Sequence, residues 1–279
     1  MRREGCKQMS TLEFCDVSKV YRVRGGRGAA ARVTAVDAVS FKVQAGKTVA
    51  LVGQSGSGKS TIAKLLLQIE RPSKGQILLD GQPVRRRGEG LRRYRSDVQM
   101  VFQDPFASLN PYHSVRHHLV RPLRIHGRVS GDQQALSEAV SGLLEMVQLT
   151  PAAVFARKHP HELSGGQRQR VAIARALAPE PKLLIADEPV SMLDVSIRLG
   201  VLNLLAEIQR ERNLGVLYIT HDLATARHFS DEILVMHQGA IVERGPADEV
   251  ILNPQHPYTQ TLAAAAPNPE LRLRQISHT

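Results

Sequence analysis

Val49-Ala50-Leu51-Val52-Gly53-Gln54-Ser55-Gly56-Ser57-Gly58-Lys59-Ser60 is the stretch on which the fold turns. A continuous apolar run closed by glycine predicts a strand buried on both faces, central in a parallel sheet. From Gly53 to Ser60 the chain fits the pattern G-x-x-x-x-G-K-[ST], and a helix-forming stretch through Gln68 follows at once. Glycine lets the backbone curl until successive N–H groups point inward at phosphate oxygens. The helix that follows adds its positive N-terminal end, and Lys59 supplies a point charge for the β- and γ-phosphates. Ser60 offers a hydroxyl to Mg²⁺, and Thr61 completes the nucleotide-binding set. The competing view, a glycine-rich turn beside a surface lysine, does not explain the strand–loop–helix order. The pattern indicates a nucleoside triphosphate but not the use made of its energy.

Leu183-Leu184-Ile185-Ala186-Asp187-Glu188 is an apolar strand ending in two adjacent acids. Carboxylates at the C-terminal end of a buried parallel strand lie at the mouth of the ligand crevice. Asp187 is the candidate metal ligand, directly or through water, and Glu188 the candidate base that orients or deprotonates the attacking water. His221 follows the next predicted strand, 216–220, and so emerges beside the same crevice with a hydrogen bond to give the γ-phosphate. Between these strands Ile197, Val201, Leu204, Leu205 and Ile208 fall one per helical turn, which predicts a crossover helix and βαβ architecture.

Working outward, strands are expected around Leu12, Phe14 and Val17, around Val39, Phe41 and Val43, at 77–79 before the turn Asp80-Gly81, and at 98–102. The residues between the first two, with Gly25, Gly26 and Gly28, read as a flexible loop. From Pro105 to Pro160 strand signals vanish, and Val140, Leu143, Leu144 and Val147 fall at helical spacing, which predicts a helical subdomain inserted into the sheet domain. Two short strands, 232–236 and 240–243, bracket Gln238-Gly239, and a helix around 258–266 closes the pattern.

The 279 residues hold 37 Lys+Arg against 26 Asp+Glu, a formal charge of +11, with 42% hydrophobic and 23% charged residues. That is a globular composition, long enough for one large α/β unit or two smaller ones. No apolar run of about 18 residues or more appears, which rules out a membrane-spanning helix; if a membrane matters, a partner must supply it. The N-terminus, for which Met1 and Met9 are both candidate starts, lacks the apolar stretch of a secretory signal, pointing to the cytosol. Cys6 and Cys15 form neither a disulfide framework nor a four-ligand metal site. The positive charge concentrates in Arg85, Arg86, Arg87, Arg92, Arg93 and Arg95, a loop-like region read as solvated or partner-facing, because stacking aromatics are sparse. His113, His117, His118 and His126 invite a metal reading, but Pro122 interrupts the segment and no acid or cysteine completes a ligand set; a partner-facing surface is preferred.

Leu163-Ser164-Gly165-Gly166-Gln167 opens a further helix, Arg168 to Leu177, with a serine N-cap and paired glycines. Such an end is a second anion site. The sequence here resembles the ATP-binding subunit of ABC transporters over residues 10–266. The resemblance implies an α/β P-loop NTPase core with a mainly parallel sheet, an antiparallel β subdomain and an inserted helical subdomain. It implies one ATPase domain at 10–266, with core 10–103 and 180–252, helical subdomain about 104–179, and a short C-terminal tail, 253–279. In that family Ser164, Gly165, Gly166 and Gln167 match the signature that closes over ATP held by the opposite subunit of a head-to-tail dimer. Tyr21 resembles the aromatic that stacks on adenine. Gln103 matches the glutamine that contacts Mg²⁺ and links core to helical subdomain. Ser191-Met192-Leu193-Asp194 resembles the loop that crosses between subunits, with Met192 where a small residue is usual. Glu188 and His221 match the catalytic glutamate and switch histidine.

More narrowly, Gln103-Asp104-Pro105-Phe106-Ala107-Ser108-Leu109-Asn110-Pro111 and Asn253-Pro254-Gln255-His256-Pro257-Tyr258-Thr259 resemble the peptide/nickel importer subfamily. This implies an ATPase driven by ATP and Mg²⁺ at the cytoplasmic face of the membrane. It would be paired with a second ATPase subunit beneath two permeases, with an extracytoplasmic solute-binding protein acting indirectly and no nucleic acid. With no cysteine after Cys15, the tail is expected to lack the iron–sulfur cluster of some members. The alternative is an ABC-type ATPase acting on nucleic acid or ribosomes, to which the positive charge would be useful. Such chains usually carry two cassettes or a long coiled coil, and this sequence has one cassette and no sustained heptads.

Overall fold

Strict alternation along the central strands decides how the chain is layered. In the computed structural model, residues 10–24, 30–129 and 131–265 are described. They contain strands β1 (Thr11–Arg24), β2 (Ala30–Gln44), β3 (Thr48–Val52), β4 (Lys74–Leu79), β5 (Gln82–Pro83), β6 (Val98–Val101), β7 (Leu183–Asp187), β8 (Gly215–Thr220), β9 (Glu232–His237) and β10 (Ala240–Pro246). One sheet runs β10-β9-β3-β8-β7-β6 and is parallel except at β10, which pairs antiparallel with β9. The other, β2-β1-β4-β5, is antiparallel.

All five residues of β3 are buried, as a strand covered on both faces requires. Ala50, Val52, Leu184, Ala186, Val216 and Tyr218 face one core with the helical region. Val49, Leu51, Leu183, Ile185, Leu217 and Ile219 face a second core with the antiparallel sheet and the helix Lys59–Leu66. A period of two thus lets each strand stitch two cores together.

Between β6 and β7 the described chain is helical: Pro105–Ser108, Val115–Ile125, Gln133–Met146, Ala152–Arg157 and Gly165–Leu177, with a 3-10 turn at Pro160–Glu162. Leu119, Leu136, Leu144, Val147 and Val171 are wholly enclosed where these helices meet. Leu144→Ala is expected to cost about 2–5 kcal/mol, because the surrounding helices cannot fully close on the void. A lower urea midpoint with an unchanged slope would register it.

Three expectations change. The flanks of the stretch read as a loop are strand, since the β1–β2 ladder runs to the pair Arg24–Ala30; Gly25, Gly26 and Gly28 themselves lie outside the described residues, as do Met1, Cys6 and Met9. The arginine-rich stretch contains the helix Gly88–Asp97, anchored by one buried residue, Tyr94, whose hydroxyl donates to the Leu66 carbonyl at 2.6 Å. Pro122 lies inside Val115–Ile125 rather than ending it; buried Leu119, Val120 and Leu123 hold the helix on both sides of the lost N–H bond. Among the described residues no helix is long and apolar enough to cross a membrane.

Candidate functional site

The loop after β3 takes its shape from three glycines under different constraints. Gly56 and Gly58 adopt φ of 81° and 115°, where side-chain-bearing residues are strained. A Cβ on Gly58 would lie 2.3 Å from the Ala35 carbonyl oxygen, and one on Gly53 2.3 Å from that of Met236. The loop is also tied down: the Ser57 carbonyl accepts from Gly239 N–H at 2.9 Å, and the Gly239 carbonyl accepts from Asp37 N–H at 2.9 Å. Lys59, only 7% exposed, folds back to donate to the carbonyls of Gly53 (2.6 Å) and Gln54 (3.0 Å). Its burial lowers the ammonium pKa, against the pull of Glu188 and Asp187.

Loop, Ala35, Ser60, Thr61, Gln103, Asp187, Glu188 and His221 together line a cleft of about 670 Å³. Asp187 ends β7 and Glu188 follows it, as the sequence predicts, but the two lie in different environments. Burial and the neighbouring Glu188 push the Asp187 pKa up to about 6, against the pull of Lys59. Glu188 is clamped on both oxygens: Gln103 Nε2 donates to one at 2.7 Å, and His221 Nδ1 bonds the other at 2.8 Å, which requires the Nδ1–H tautomer. Its backbone is constrained as well, with φ at 44°, its N–H donating to Ile219 O at 2.8 Å and its carbonyl accepting from Ser191 Oγ at 3.1 Å. A non-glycine residue held in the left-handed region at a cleft is stored strain that aims a side chain. Nothing in the sequence signals it.

Ser60, Gln103 and Asp187 present a hydroxyl, an amide and one carboxylate to the same cleft. This is an all-oxygen donor set of the kind Mg²⁺ takes beside phosphates and water, so these residues fit the ion. Tyr21 does not line the cleft; it sits in β1 opposite Val33, with Lys19 Nζ 4.9 Å from its ring centre.

The signature helix opens elsewhere. Exposed Ser164 caps Gly165–Leu177 through a reciprocal box, Oγ accepting from Gln167 N–H at 3.3 Å and Gln167 Oε1 accepting from Ser164 N–H at 3.1 Å. Gly166 packs where a Cβ would come within 2.7 Å of Ile197, which joins this end to the loop carrying Asp194, itself exposed as the N-cap of Val195–Arg212. None of Ser164, Gly165, Gly166, Gln167 or Asp194 lines the 670 Å³ cleft.

Sequence reasoning missed the ties between this helix and the segment after Gln103. Asp104 caps Pro105–Ser108, accepting from Phe106 N–H at 2.7 Å, and Arg168 lies 4.2 Å from the Phe106 ring centre. Arg175 donates to the Ser108 carbonyl. His113, His117, His118 and His126 border a second cleft of about 820 Å³ with Gln103. His113 and His117 stack at 3.9 Å, and His118 Nε2 bonds the Asn110 carbonyl at 3.0 Å. Among the described residues no three His, Cys, Asp or Glu side chains are grouped to hold a metal.

A curled glycine loop on a parallel sheet, facing a clamped carboxylate, defines the class: a P-loop ATPase. The profile described as "ABC transporter" matches residues 36–191, and that of the "Oligopeptide/dipeptide transporter, C-terminal region" matches 242–278. The chain is 46% identical over 264 residues to the oligopeptide transport ATP-binding protein AppF of Bacillus subtilis, covering 93% of this chain and 79% of that one. To the glutathione import ATP-binding protein GsiA of Salmonella typhimurium it is 49% identical over 84% of its own length, but it spans only 37% of that protein. Its fold matches the dimeric post-hydrolysis structure of the ATP-binding cassette MJ0796 bound to ADP and Pi, with a TM-score of 0.73, 28% identity and coverage of 85% of this chain and 98% of that one. The chain belongs to the ABC transporter ATP-binding family, and it is an ABC ATPase of the oligopeptide/dipeptide importer group.

Proposed function

We propose that this chain hydrolyses ATP to drive uptake of peptides through a membrane transporter, working as one half of a head-to-tail ATPase dimer. One observation carries the dimer: the glycine-loop cleft holds Glu188, and apart from that cleft stands an exposed helix end capped by Ser164, which is read here as the anion site for another copy. Ser164, Gly165, Gly166, Gln167 and Asp194 of one copy then complete the cleft of another, identical or homologous. Names of relatives and the C-terminal region that it shares with oligopeptide/dipeptide transporters favour peptide over nickel as the cargo, and favour transport over action on nucleic acid.

Within each site Gly53 to Gly58 wrap the phosphates and Lys59 turns from the loop carbonyls to the β- and γ-phosphates. Glu188 takes the proton of the attacking water while Gln103 and His221 hold its carboxylate in line. Ser60, Asp187 and Gln103 would hold Mg²⁺, which when bound neutralises developing phosphate charge. Tyr21 is assigned to the adenine, a role that needs it to meet the base at the rim of the cleft. The domain spans 10–266, with core 10–103 and 180–252, helical part 104–179 and tail 253–279. It lies at the cytoplasmic face of the membrane, with the 820 Å³ cleft and its histidines toward two permeases that an extracytoplasmic binding protein feeds. Closing the dimer draws the helical parts together and so moves the permeases.

Ser164→Arg tests the arrangement. The variant is expected to bind ATP with wild-type affinity, because Ser164 lies off its own cleft, yet to lose at least about 90% of turnover and all ATP-dependent dimerisation on gel filtration. Normal turnover by this variant would remove the dimer from the mechanism. Peptide uptake into vesicles carrying the chain with its permeases tests the cargo.

A further inference from the structure

The C-terminal segment reaches the nucleotide cleft at one atom. Tyr258, on the helix Pro257–Ala265, receives the backbone N–H of Gln54 on its hydroxyl at 3.0 Å, across 204 residues of sequence. Gln54 is the corner of the phosphate loop: its carbonyl accepts from Ser57 N–H at 3.2 Å and from Lys59 Nζ at 3.0 Å. Tyr258 therefore holds the N–H side of the same residue whose carbonyl side organises the loop.

The tyrosine is itself held. Its ring lies against His237, the last residue of β9, with centres 3.9 Å apart and planes at 30°. Its N–H donates to His256 Nδ1 at 3.1 Å. The turn before it hangs on Glu243 of β10, whose carboxylate accepts from the N–H groups of Gln255 (2.8 Å) and His256 (3.0 Å). Gln260 closes the turn through Pro254 O at 3.0 Å. All of these contacts lie within the chain itself, and a loop preorganised by such contacts loses less freedom when phosphate arrives.

We infer that Tyr258 is a positioning residue for the phosphate loop, and that residues 253–265 act as a strap setting nucleotide affinity. This rests on reading residues 53–60 as the phosphate site. The experiment compares the full-length wild type, Tyr258→Phe and Lys59→Ala for binding of a fluorescent ATP analogue and of ADP, for steady-state turnover, and for hydrogen exchange.

Tyr258→Phe keeps the ring on His237 and removes only the acceptor. Loss of one neutral hydrogen bond predicts roughly fivefold weaker binding of both nucleotides and a KM raised to match. kcat at saturating ATP should stay within about twofold of wild type, and exchange in a peptide spanning 53–58 should quicken. A residue that merely stabilised the fold would instead lower kcat through loss of active protein and leave KM unmoved. Unchanged affinity in Tyr258→Phe, or unchanged exchange at 53–58, overturns the strap while leaving the phosphate site intact, provided Lys59→Ala binds far more weakly than wild type. If Lys59→Ala binds as well as wild type, the phosphate-site reading fails and takes the strap with it.

Discussion

Glu188→Gln is expected to cut ATP turnover by about 10²- to 10⁴-fold, the range a positioned general base contributes, while the ATP Kd stays within about threefold of wild type. The wild-type carboxylate meets two donors, Gln103 Nε2 at 2.7 Å and His221 Nδ1 at 2.8 Å. An amide keeps one accepting oxygen and turns an N–H₂ toward the other donor, so one contact is lost. His221 can answer by changing tautomer, and its 60% exposed side chain lets water replace the bond at small cost. On the proposed reading phosphate binding relies on the loop and Lys59, so the variant is expected to hold ATP without consuming it and to collect as a closed dimer. Rapid-quench turnover beside equilibrium binding and gel filtration separates the effects. Wild-type turnover in Glu188→Gln would mean that another group takes the proton.

The second large effect is expected at Gly58. With φ at 115° and a would-be Cβ 2.3 Å from the Ala35 oxygen and 2.6 Å from Met236 Cε, alanine here meets both backbone strain and a collision with main chain. A strained left-handed residue costs about 1–3 kcal/mol by itself. The collision cannot be relieved by a side-chain rotation, because Ala35 sits in β2, laddered to β1, and Gly58 N-caps the helix that starts at Lys59. The loop must therefore shift, and ATP affinity is expected to fall at least about a hundredfold, since a displacement near 1 Å at a charged phosphate cradle forfeits several N–H contacts at once. Gly56→Ala is the matched control: φ is positive there too, at 81°, but no atom lies within 4 Å of its Cβ, so only the backbone strain remains and affinity should fall by about tenfold or less. Equal losses in the two variants would show that crowding against Ala35 is irrelevant.

The sheet was legible because burial on both faces leaves an unbroken apolar run, as at 49–52 and 183–186, and the cleft because carboxylates and loop follow those runs directly. The capped helix at Ser164 announces itself through short-range chemistry. Elsewhere the controlling interaction is remote. Helix Gly88–Asp97 has a single buried anchor, Tyr94, among glycines and arginines, so too few apolar positions mark it. Pro122 reads locally as a stop, but the apolar neighbours that carry the helix past it act through tertiary packing. Glu188 carries no mark of its φ of 44°, which the Ile219 and Ser191 bonds impose. The Tyr258–Gln54 contact spans 204 residues and had no local signature at all.

β3 has two neighbours in its sheet, β8 and β9, and both are made from residues beyond 214. While the protein is being synthesised, its most apolar strand and the loop behind it therefore emerge from the ribosome long before any partner exists to receive them. A nascent chain halted short of Gly215 leaves 48–52 without either flank, a sticky intermediate of the kind that engages chaperones. Nucleotide recognition, encoded near the front of the message, is among the last properties the growing polypeptide acquires.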